Sequence, residues 1–188
     1  MKLSWSHKLF LRINKTLGKH PLRDKIMYFF GQWLILAMAV ATAILFFIFL
    51  QKIQLLIALI FAGATFLLAY GISYTIALLF KHPRPIRELP NVKELIVPIE
   101  NWKSFPSDHT IAVTLMTIFS WYVTYSFSIV IPMMIAALCV MAGRVYCGVH
   151  YPRDILGGIV VAFFSTAVVV FGFIVLVFLA FGNPSIMN

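Results

Sequence analysis

Long apolar runs divide the chain into five candidate membrane spans. A helix that crosses a bilayer needs about 20 mostly apolar residues. The runs cover approximately Ile26–Leu50, Ile53–Phe80, His109–Tyr125, Ile129–Tyr146 and Ile155–Phe181. Only Gln51 and Lys52 separate the first two runs, so these spans are expected to form a tight antiparallel pair. The pattern predicts an all-α transmembrane helix bundle of about five spans.

Residues 1–24, before the first span, carry a different pattern. Two faces alternate along a helical repeat: an apolar one with Leu3, Phe10, Ile13 and Leu17, and a basic one with Lys8, Arg12, Lys15 and Lys19. This is typical of an amphipathic helix lying in the membrane interface. A short solvated tail is the alternative.

The composition agrees with a membrane protein. Hydrophobic residues make up 62% of the 188 residues, charged residues only 11%, and the mean hydropathy is +0.96. Soluble domains carry roughly 25% charged residues and about 45–50% apolar residues. A soluble enzyme, a disordered tail and a secreted disulfide scaffold are therefore excluded. We interpret residues 1–188 as one membrane domain, with no indication of a nucleic-acid partner.

Two polar connections hold most of the remaining charged residues. Residues 81–108, rich in proline and charge, link spans two and three, and residues 144–154 link spans four and five. Because each helical hairpin returns the chain to the side from which it started, both connections and the N-terminal segment are expected on one side of the membrane.

Three polar clusters should therefore meet on one membrane face. They are Lys81-His82-Pro83-Arg84-Pro85, Phe105-Pro106-Ser107-Asp108-His109-Thr110, and the spaced set Arg144, His150 and Asp154. Ionisable groups at membrane depth are costly and usually functional. The arginines provide positive charge for a phosphate dianion, and the histidines and serine provide a nucleophile and an acid. Since no cluster of carboxylates accompanies them, we predict a reaction that uses neither a metal nor another cofactor.

In order and spacing, these clusters resemble the three motifs of the type 2 phosphatidic acid phosphatase (PAP2) superfamily, which are Lys-x6-Arg-Pro, Pro-Ser-Gly-His and Ser-Arg-x5-His-x3-Asp. The matching residues here are Arg84-Pro85, Pro106-Ser107-Asp108-His109 and Gly143-Arg144-x5-His150-x3-Asp154. Three positions depart from the family, because Ala77, Asp108 and Gly143 stand where it has lysine, glycine and serine. The sequence Phe-Pro-Ser-Asp-His-Thr and the missing lysine are similar to bacterial undecaprenyl pyrophosphate phosphatases of the bacitracin-resistance type.

The resemblance implies a hydrolysis through a phosphohistidine, and chemistry assigns the roles. His150 is the candidate nucleophile, and Asp154 is expected to accept its other ring N–H and stabilise the cation that forms. His109 is the candidate general acid. The candidate phosphate-binding residues are Arg84, Ser107, Arg144, Lys81 and Asp108.

Several charges in the first connection have two interpretations. Lys81, His82, Arg87, Lys93 and Lys103 either line the entrance and attract an anionic substrate or face solvent and lipid headgroups. Lys81 is also a candidate replacement for the lysine missing at Ala77. Asp108, an anion in a phosphate site, either orients Arg84 or Lys81 or holds the counter-cation of a second phosphate.

A site between membrane helices suits a substrate whose tail stays in lipid and whose head is phosphate. The subgroup resemblance favours undecaprenyl pyrophosphate, hydrolysed to the monophosphate and phosphate. The alternatives are a phosphatidic acid or phosphatidylglycerophosphate phosphatase, a lipid phosphotransferase, and a membrane protein without enzymatic activity, such as a small transporter subunit. The sequence leaves the lipid tail and the oligomeric state open.

The basic residues conflict with the family over orientation. Fourteen of the 15 Lys and Arg residues lie on the predicted active-site face, and only Lys52 lies on the other. The positive-inside rule would place that face in the cytoplasm, whereas bacterial relatives of this type place it outside. Because several of these charges belong to the site, we follow the family and predict a multi-pass plasma-membrane protein with an extracytoplasmic active site.

Overall fold

The protein is a bundle of helices. The structure, a computed structural model, describes residues 3–98 and 102–181, and no strand occurs in these ranges. The eight helices found there are α1 (Trp5–Asn14), α2 (Pro21–Gln32), α3 (Leu34–Phe49), α4 (Lys52–Leu79), α5 (Pro85–Glu88), α6 (Asp108–Thr124), α7 (Phe127–Tyr146) and α8 (Pro152–Phe181). The predicted all-α membrane bundle is confirmed.

The longest helices account for the apolar runs. Within the described residues, α4, α7 and α8 are each long and apolar enough to cross a membrane, and α2 and α3 are long and apolar enough only when taken together as a bent pair. The 28 residues of α4 extend over about 42 Å, so this helix tilts or projects beyond a hydrocarbon core of about 30 Å. The predicted third span is α6, which is shorter, with 17 residues.

The first predicted span was wrong in its start and its shape. The helix begins at Pro21 rather than Ile26, because proline suits the first helical turn, where no backbone N–H is needed. It bends by 44° at Trp33, since α2 packs against α7 while α3 packs against α6. Where α2 meets α7, a Cβ on Gly143 would lie only 2.4 Å from the backbone nitrogen of Gly31. This close crossing explains why glycine stands in place of the motif serine.

The N-terminal segment folds back onto the bundle as a shorter helix than expected. Instead of residues 1–24, α1 covers Trp5–Asn14 and packs against α7 and α8. Phe10 and Leu17 are buried, whereas the basic face is exposed. The Asn14 amide nitrogen donates to the Lys93 carbonyl at 2.7 Å, and the Lys93 backbone nitrogen donates to Asn14 Oδ1 at 3.0 Å. These bonds tie α1 to the first connection, while its placement in the membrane interface stays a prediction.

The central helix α6 positions the polar residues. It packs against α3, α4, α7 and α8, and eight of its side chains are buried. Ser107 is its N-cap, and the Ser107 side chain accepts a hydrogen bond from the Thr110 backbone nitrogen at 3.4 Å. A Cβ on Gly158 of α8 would approach the Ser107 carbonyl oxygen to 2.8 Å, so the glycine allows close packing. As a result, the start of α6 lies beside the first turns of α8.

Candidate active site

A pocket of about 330 Å³ lies where the start of α6 meets the end of α7 and the connection between α7 and α8. Its lining residues are Gln32, Arg84, Ile96, Val97, Pro98, Asp108, His109, Arg144 and His150. The fold thus brings five of the eight predicted site residues from three separate parts of the chain to one cavity. Of the other three, Asp154 and Ser107 are fully buried and Lys81 is exposed.

His150 presents one ring nitrogen to this pocket. Its Nδ1 lies 3.0 Å from the Ser104 carbonyl oxygen. Because a carbonyl can only accept, Nδ1 carries the proton and Nε2 keeps its lone pair. Nε2 lies 3.4 Å from Nη1 of Arg84. Burial, together with Arg144 and Arg84, lowers the His150 pKa to about 4 against the opposing effect of Asp154, so the ring is neutral at pH 7.

Asp154 supports His150 less directly than we predicted. Its Oδ2 lies 3.6 Å from His150 Nδ1, whereas the Ser104 carbonyl oxygen lies closer and accepts the ring N–H. The same Oδ2 accepts from Ser104 Oγ at 2.6 Å and from the Tyr151 backbone nitrogen at 2.8 Å. Asp154 therefore holds the residue that orients His150, stabilises positive charge on the ring from a short distance, and caps the start of α8.

Arg84 and Arg144 place two positive charges around the same space. Arg84 Nη1 donates to the Val149 carbonyl oxygen at 3.0 Å, and Arg144 Nη1 donates to the Gly31 carbonyl oxygen at 3.1 Å. Arg144 is 4% exposed, and its Nε has no hydrogen-bond partner among the described residues. Each guanidinium thus donates to a backbone carbonyl that helps to orient it. The remaining N–H groups of Arg144 suit the planar recognition of a phosphoryl group.

The two residues at the start of α6 have different positions. His109 lines the pocket together with His150, so two imidazoles can act on one bound phosphoryl group. Ser107 is fully buried, caps α6, and donates its backbone N–H to the Asp154 carbonyl at 3.1 Å. Among the described residues it is absent from the pocket lining. Ser107 thus has a structural role at the helix N-terminus, and its phosphate contact stays a prediction.

Lys103, not Lys81, is the cation that pairs with Asp108. The Lys103 ammonium lies 2.6 Å from both Asp108 carboxylate oxygens, and Ser73 Oγ of α4 donates to Oδ1 at 2.7 Å. Lys103 is 6% exposed, whereas Lys81 is exposed. One helical turn after Ser73 lies Ala77, the position of the missing family lysine. The Lys103 ammonium thus lies at Asp108, beside the face of α4 that carries Ser73 and Ala77. Asp108 and Ala77 are two of the three positions that depart from the family pattern.

We expect Lys103→Met to raise the KM for a lipid phosphate about 10- to 100-fold, and Lys81→Met to change it less than threefold. Without Lys103, the Asp108 carboxylate at the pocket wall repels the phosphate. At an effective dielectric constant near 20, the repulsion between these two charges is about a few kcal/mol, which corresponds to this range of KM. Initial rates over a range of substrate concentrations test this. Asp108→Asn in the Lys103→Met background should recover most of the loss. Equal effects of the two lysine variants would contradict the assignment.

Sequence reasoning missed two residues of the site. Ser104 acts through its backbone carbonyl on His150, and a carbonyl leaves no signal in the sequence. Ser73 did leave one, since it is a serine in an apolar span, four residues before Ala77 and hence on the same helical face. Both positions became recognisable once the helices were packed together.

The comparison with known families decides what kind of site this is. Residues 55–175, which contain all three motifs, match the PAP2 superfamily. The chain belongs to the PAP2 superfamily. The family prediction made from the motifs is therefore confirmed. The fold of this PAP2 protein is also similar to the crystal structure of LpxE from Aquifex aeolicus, with a TM-score of 0.71, 22% identity, and 90% of this chain and 96% of that chain covered.

Two curated relatives of this PAP2 protein are named as diphosphatases. It is 30% identical over 161 residues to undecaprenyl-diphosphatase BcrC of Bacillus subtilis, which covers 84% of this chain and 78% of the relative. It is 33% identical over 154 residues to putative undecaprenyl-diphosphatase YbjG of Escherichia coli, which covers 80% of this chain and 74% of the relative. The similarity extends over most of each protein rather than over the motifs alone.

Proposed function

We propose that this PAP2 protein is a membrane lipid diphosphatase that hydrolyses a polyprenyl diphosphate, undecaprenyl pyrophosphate, to the monophosphate and phosphate. The observation that carries the proposal is the unprotonated Nε2 of His150 at a pocket lined by Arg84, Arg144 and His109. The names of the two diphosphatase relatives support the choice of lipid. Phosphatidic acid and phosphatidylglycerophosphate are the alternative substrates, so the test below includes them.

The first step transfers the terminal phosphoryl group to the enzyme. His150 Nε2 attacks phosphorus, the N–P bond forms, and the bond from phosphorus to the bridging oxygen breaks. His109 donates its proton to that oxygen, and the lipid monophosphate leaves. Arg84 and Arg144 stabilise the charge on the phosphoryl oxygens, and Asp154 stabilises the positive charge on the His150 ring.

The second step returns the enzyme to its starting state. His109, now neutral, takes a proton from a water molecule as the water oxygen attacks phosphorus. The N–P bond breaks, inorganic phosphate leaves, and His150 keeps its proton on Nδ1 and its lone pair on Nε2. Apart from the attacking water and the substrate, every group in this cycle is a side chain of the protein.

The surroundings of the pocket suit a lipid substrate. Ile96, Val97 and Pro98 form an apolar part of the lining, and Val97 is 79% exposed. Large apolar side chains are exposed along α4 and α8. A substrate can therefore keep its tail in lipid while the diphosphate enters the polar pocket.

Phosphate release by purified protein in detergent with EDTA tests the proposal. The substrates are undecaprenyl pyrophosphate, phosphatidic acid and phosphatidylglycerophosphate, with His150→Ala as the inactive control. A preference for the pyrophosphate, lost in the variant, is expected. Equal turnover of all three would make the protein a general lipid phosphatase. Phosphoryl transfer to a second lipid without release would identify a transferase, and no reaction in folded protein would overturn the proposal.

The pH dependence should report the neutral state of His150. Its pKa of about 4 lies below the ordinary 6.5, so kcat/KM should fall on the acid side near pH 4 to 5, where the His150 ring takes up a proton. Asp154→Asn should move the acid limb lower, because the carboxylate raises the His150 pKa. Rates from pH 4 to 9 test this, and an acid limb at pH 6.5 unaffected by Asp154→Asn would contradict it.

The same pKa shift affects the free energy of unfolding. The protein has its full stability with respect to His150 above about pH 6.5, and it loses stability as the pH falls toward about 4, because the folded protein then has to hold a charged ring in a buried position.

We also propose that the pocket faces outward from the plasma membrane. The resemblance to bacterial undecaprenyl pyrophosphate phosphatases supports this orientation, whereas the positive-inside rule, applied to the basic residues, favours the opposite one. Single cysteines at positions 52 and 95, in a background with Cys139 and Cys147 replaced, test this by labelling intact cells with an impermeant maleimide. Labelling at 95 but not at 52 is expected, and the reverse result would place the site in the cytoplasm.

A further inference from the structure

A second cluster of charged and aromatic side chains contacts α1 and lies outside the pocket lining. It contains His7 of α1, Glu88 of α5, and Tyr151 and Arg153 at the start of α8. His7 is 5% exposed, and its Nε2 lies 3.2 Å from Glu88 Oε1. Since the Ser4 backbone nitrogen donates to His7 Nδ1 at 3.2 Å, Nε2 carries the proton and donates to Glu88. The His7 ring also packs edge-on against Tyr151, with 4.8 Å between centroids.

Arg153 links this cluster to the catalytic aspartate. Its Nη2 lies 3.8 Å from Glu88 Oε2, and its Nε lies 3.7 Å from Asp154 Oδ1. Its guanidinium stacks over the Tyr151 ring at 4.9 Å, and its backbone nitrogen donates to Ser6 Oγ of α1 at 3.1 Å. A chain of alternating charges therefore runs from α1 through Glu88 and Arg153 to Asp154.

The two carboxylate oxygens of Asp154 face different groups. Oδ2 accepts hydrogen bonds from Ser104 and Tyr151 and faces His150, whereas the cation beside Oδ1 is Arg153. Asp154 is fully buried, and a buried charge is stable only when opposite charge or hydrogen bonds compensate it. Arg153 contributes to this compensation, and Glu88 holds Arg153 in place.

We infer that Arg153 and Glu88 are positioning residues for Asp154, and that α1 is part of the active-site support through His7. This inference rests on the proposed function, since it concerns the residue that stabilises the His150 cation. It adds to the three motifs a contribution from the N-terminal helix, which none of them includes. The loss of the charge chain should slow the chemical step and leave substrate binding nearly unchanged.

The alternative is that these contacts only hold α1 in place, and the chain offers a matched control. Asn14 anchors the other end of α1 through its two hydrogen bonds with Lys93. Asn14→Ala removes these bonds at the opposite end of α1 from the charge chain. It therefore measures the effect of loosening α1 alone.

The experiment compares full-length Arg153→Gln, Arg153→Lys, Glu88→Gln, the double variant Glu88→Gln/Arg153→Gln, and Asn14→Ala. Thermal unfolding, kcat and KM are measured on the lipid phosphate that the unaltered protein hydrolyses fastest. We expect Arg153→Gln and Glu88→Gln to lower kcat about tenfold with KM within threefold, and Arg153→Lys to retain most of the activity. The double variant should be no slower than Arg153→Gln, because Glu88 acts through Arg153. Asn14→Ala should lower the Tm with kcat unchanged.

Two results would overturn the inference. One is a lower Tm with unchanged kcat in the Arg153 and Glu88 variants, as in Asn14→Ala, which would mean that the cluster only anchors α1. The other is a double variant whose kcat loss is the product of the two single losses. Absence of turnover by the unaltered protein on all three lipids would instead overturn the proposed function, and this inference with it.

Discussion

Replacing His150 with alanine is expected to reduce phosphate release at least about 10⁴-fold, the scale seen when a covalent nucleophile is removed. Nε2 of His150 is held unprotonated at the pocket because Nδ1 donates to the Ser104 carbonyl. Without it, water must attack the substrate directly, with help only from the arginines and His109. The measurement is the initial rate of phosphate release, together with trapping of an acid-labile, base-stable phosphoenzyme in the unaltered protein.

The control for this variant is His20→Ala. His20 is exposed between α1 and α2, so its replacement should leave the rate unchanged. Unchanged thermal unfolding of His150→Ala would separate a chemical defect from a folding defect. Added imidazole, which fits the space left by the side chain, should restore part of the activity. A His150→Ala variant that hydrolyses within tenfold of the unaltered protein would exclude His150 as the nucleophile.

Replacing Arg144 is expected to have the next largest effect, about 10²- to 10³-fold in kcat/KM for Arg144→Gln. The side chain is 4% exposed, is oriented by the Gly31 carbonyl, and lines the pocket together with His150. Arg144→Lys keeps the charge but loses the fork of parallel N–H groups, so it should recover only part of the activity. Steady-state kinetics on the preferred lipid and inhibition by vanadate, which resembles pentacoordinate phosphorus, measure the loss.

Arg12→Gln serves as the matched control for Arg144. Arg12 is an exposed arginine on the basic face of α1, and its replacement should change kcat/KM less than twofold. A decrease of less than threefold in Arg144→Gln would contradict a direct phosphoryl contact. Because Gly31 accepts from Arg144 and also contacts Gly143, thermal unfolding must accompany the kinetics to detect a shift of α2.

The membrane spans were predictable because lipid imposes one requirement along the whole chain. Lys52–Leu79 and Phe127–Tyr146 agree with the apolar runs to within about two residues. The bend at Trp33 was not predictable, since it lies inside one predominantly apolar run. It depends on α2 packing against α7 through Gly31 and Gly143, a contact between positions 112 residues apart.

The candidate site divides in the same way. His150, His109, Arg84 and Arg144 could be named from their spacing, because the chemistry of phosphate needs those side chains and the spans place their connections on one face. The pairing of Asp108 could not be named. Lys81 and Lys103 carry the same charge in the same connection, and only the folded chain places the Lys103 ammonium against Asp108.

The sequence by itself thus determined the membrane bundle, the superfamily and five of the residues that line the pocket. These follow from hydrophobic length and motif spacing, which are local properties of the chain. The tertiary structure decided which ring nitrogen of His150 carries the proton and which cation pairs with Asp108. It also decided how α1 is linked to Asp154 through Glu88 and Arg153. Each of these depends on atoms, often backbone carbonyls, that meet only after distant segments pack together, so no local pattern records them.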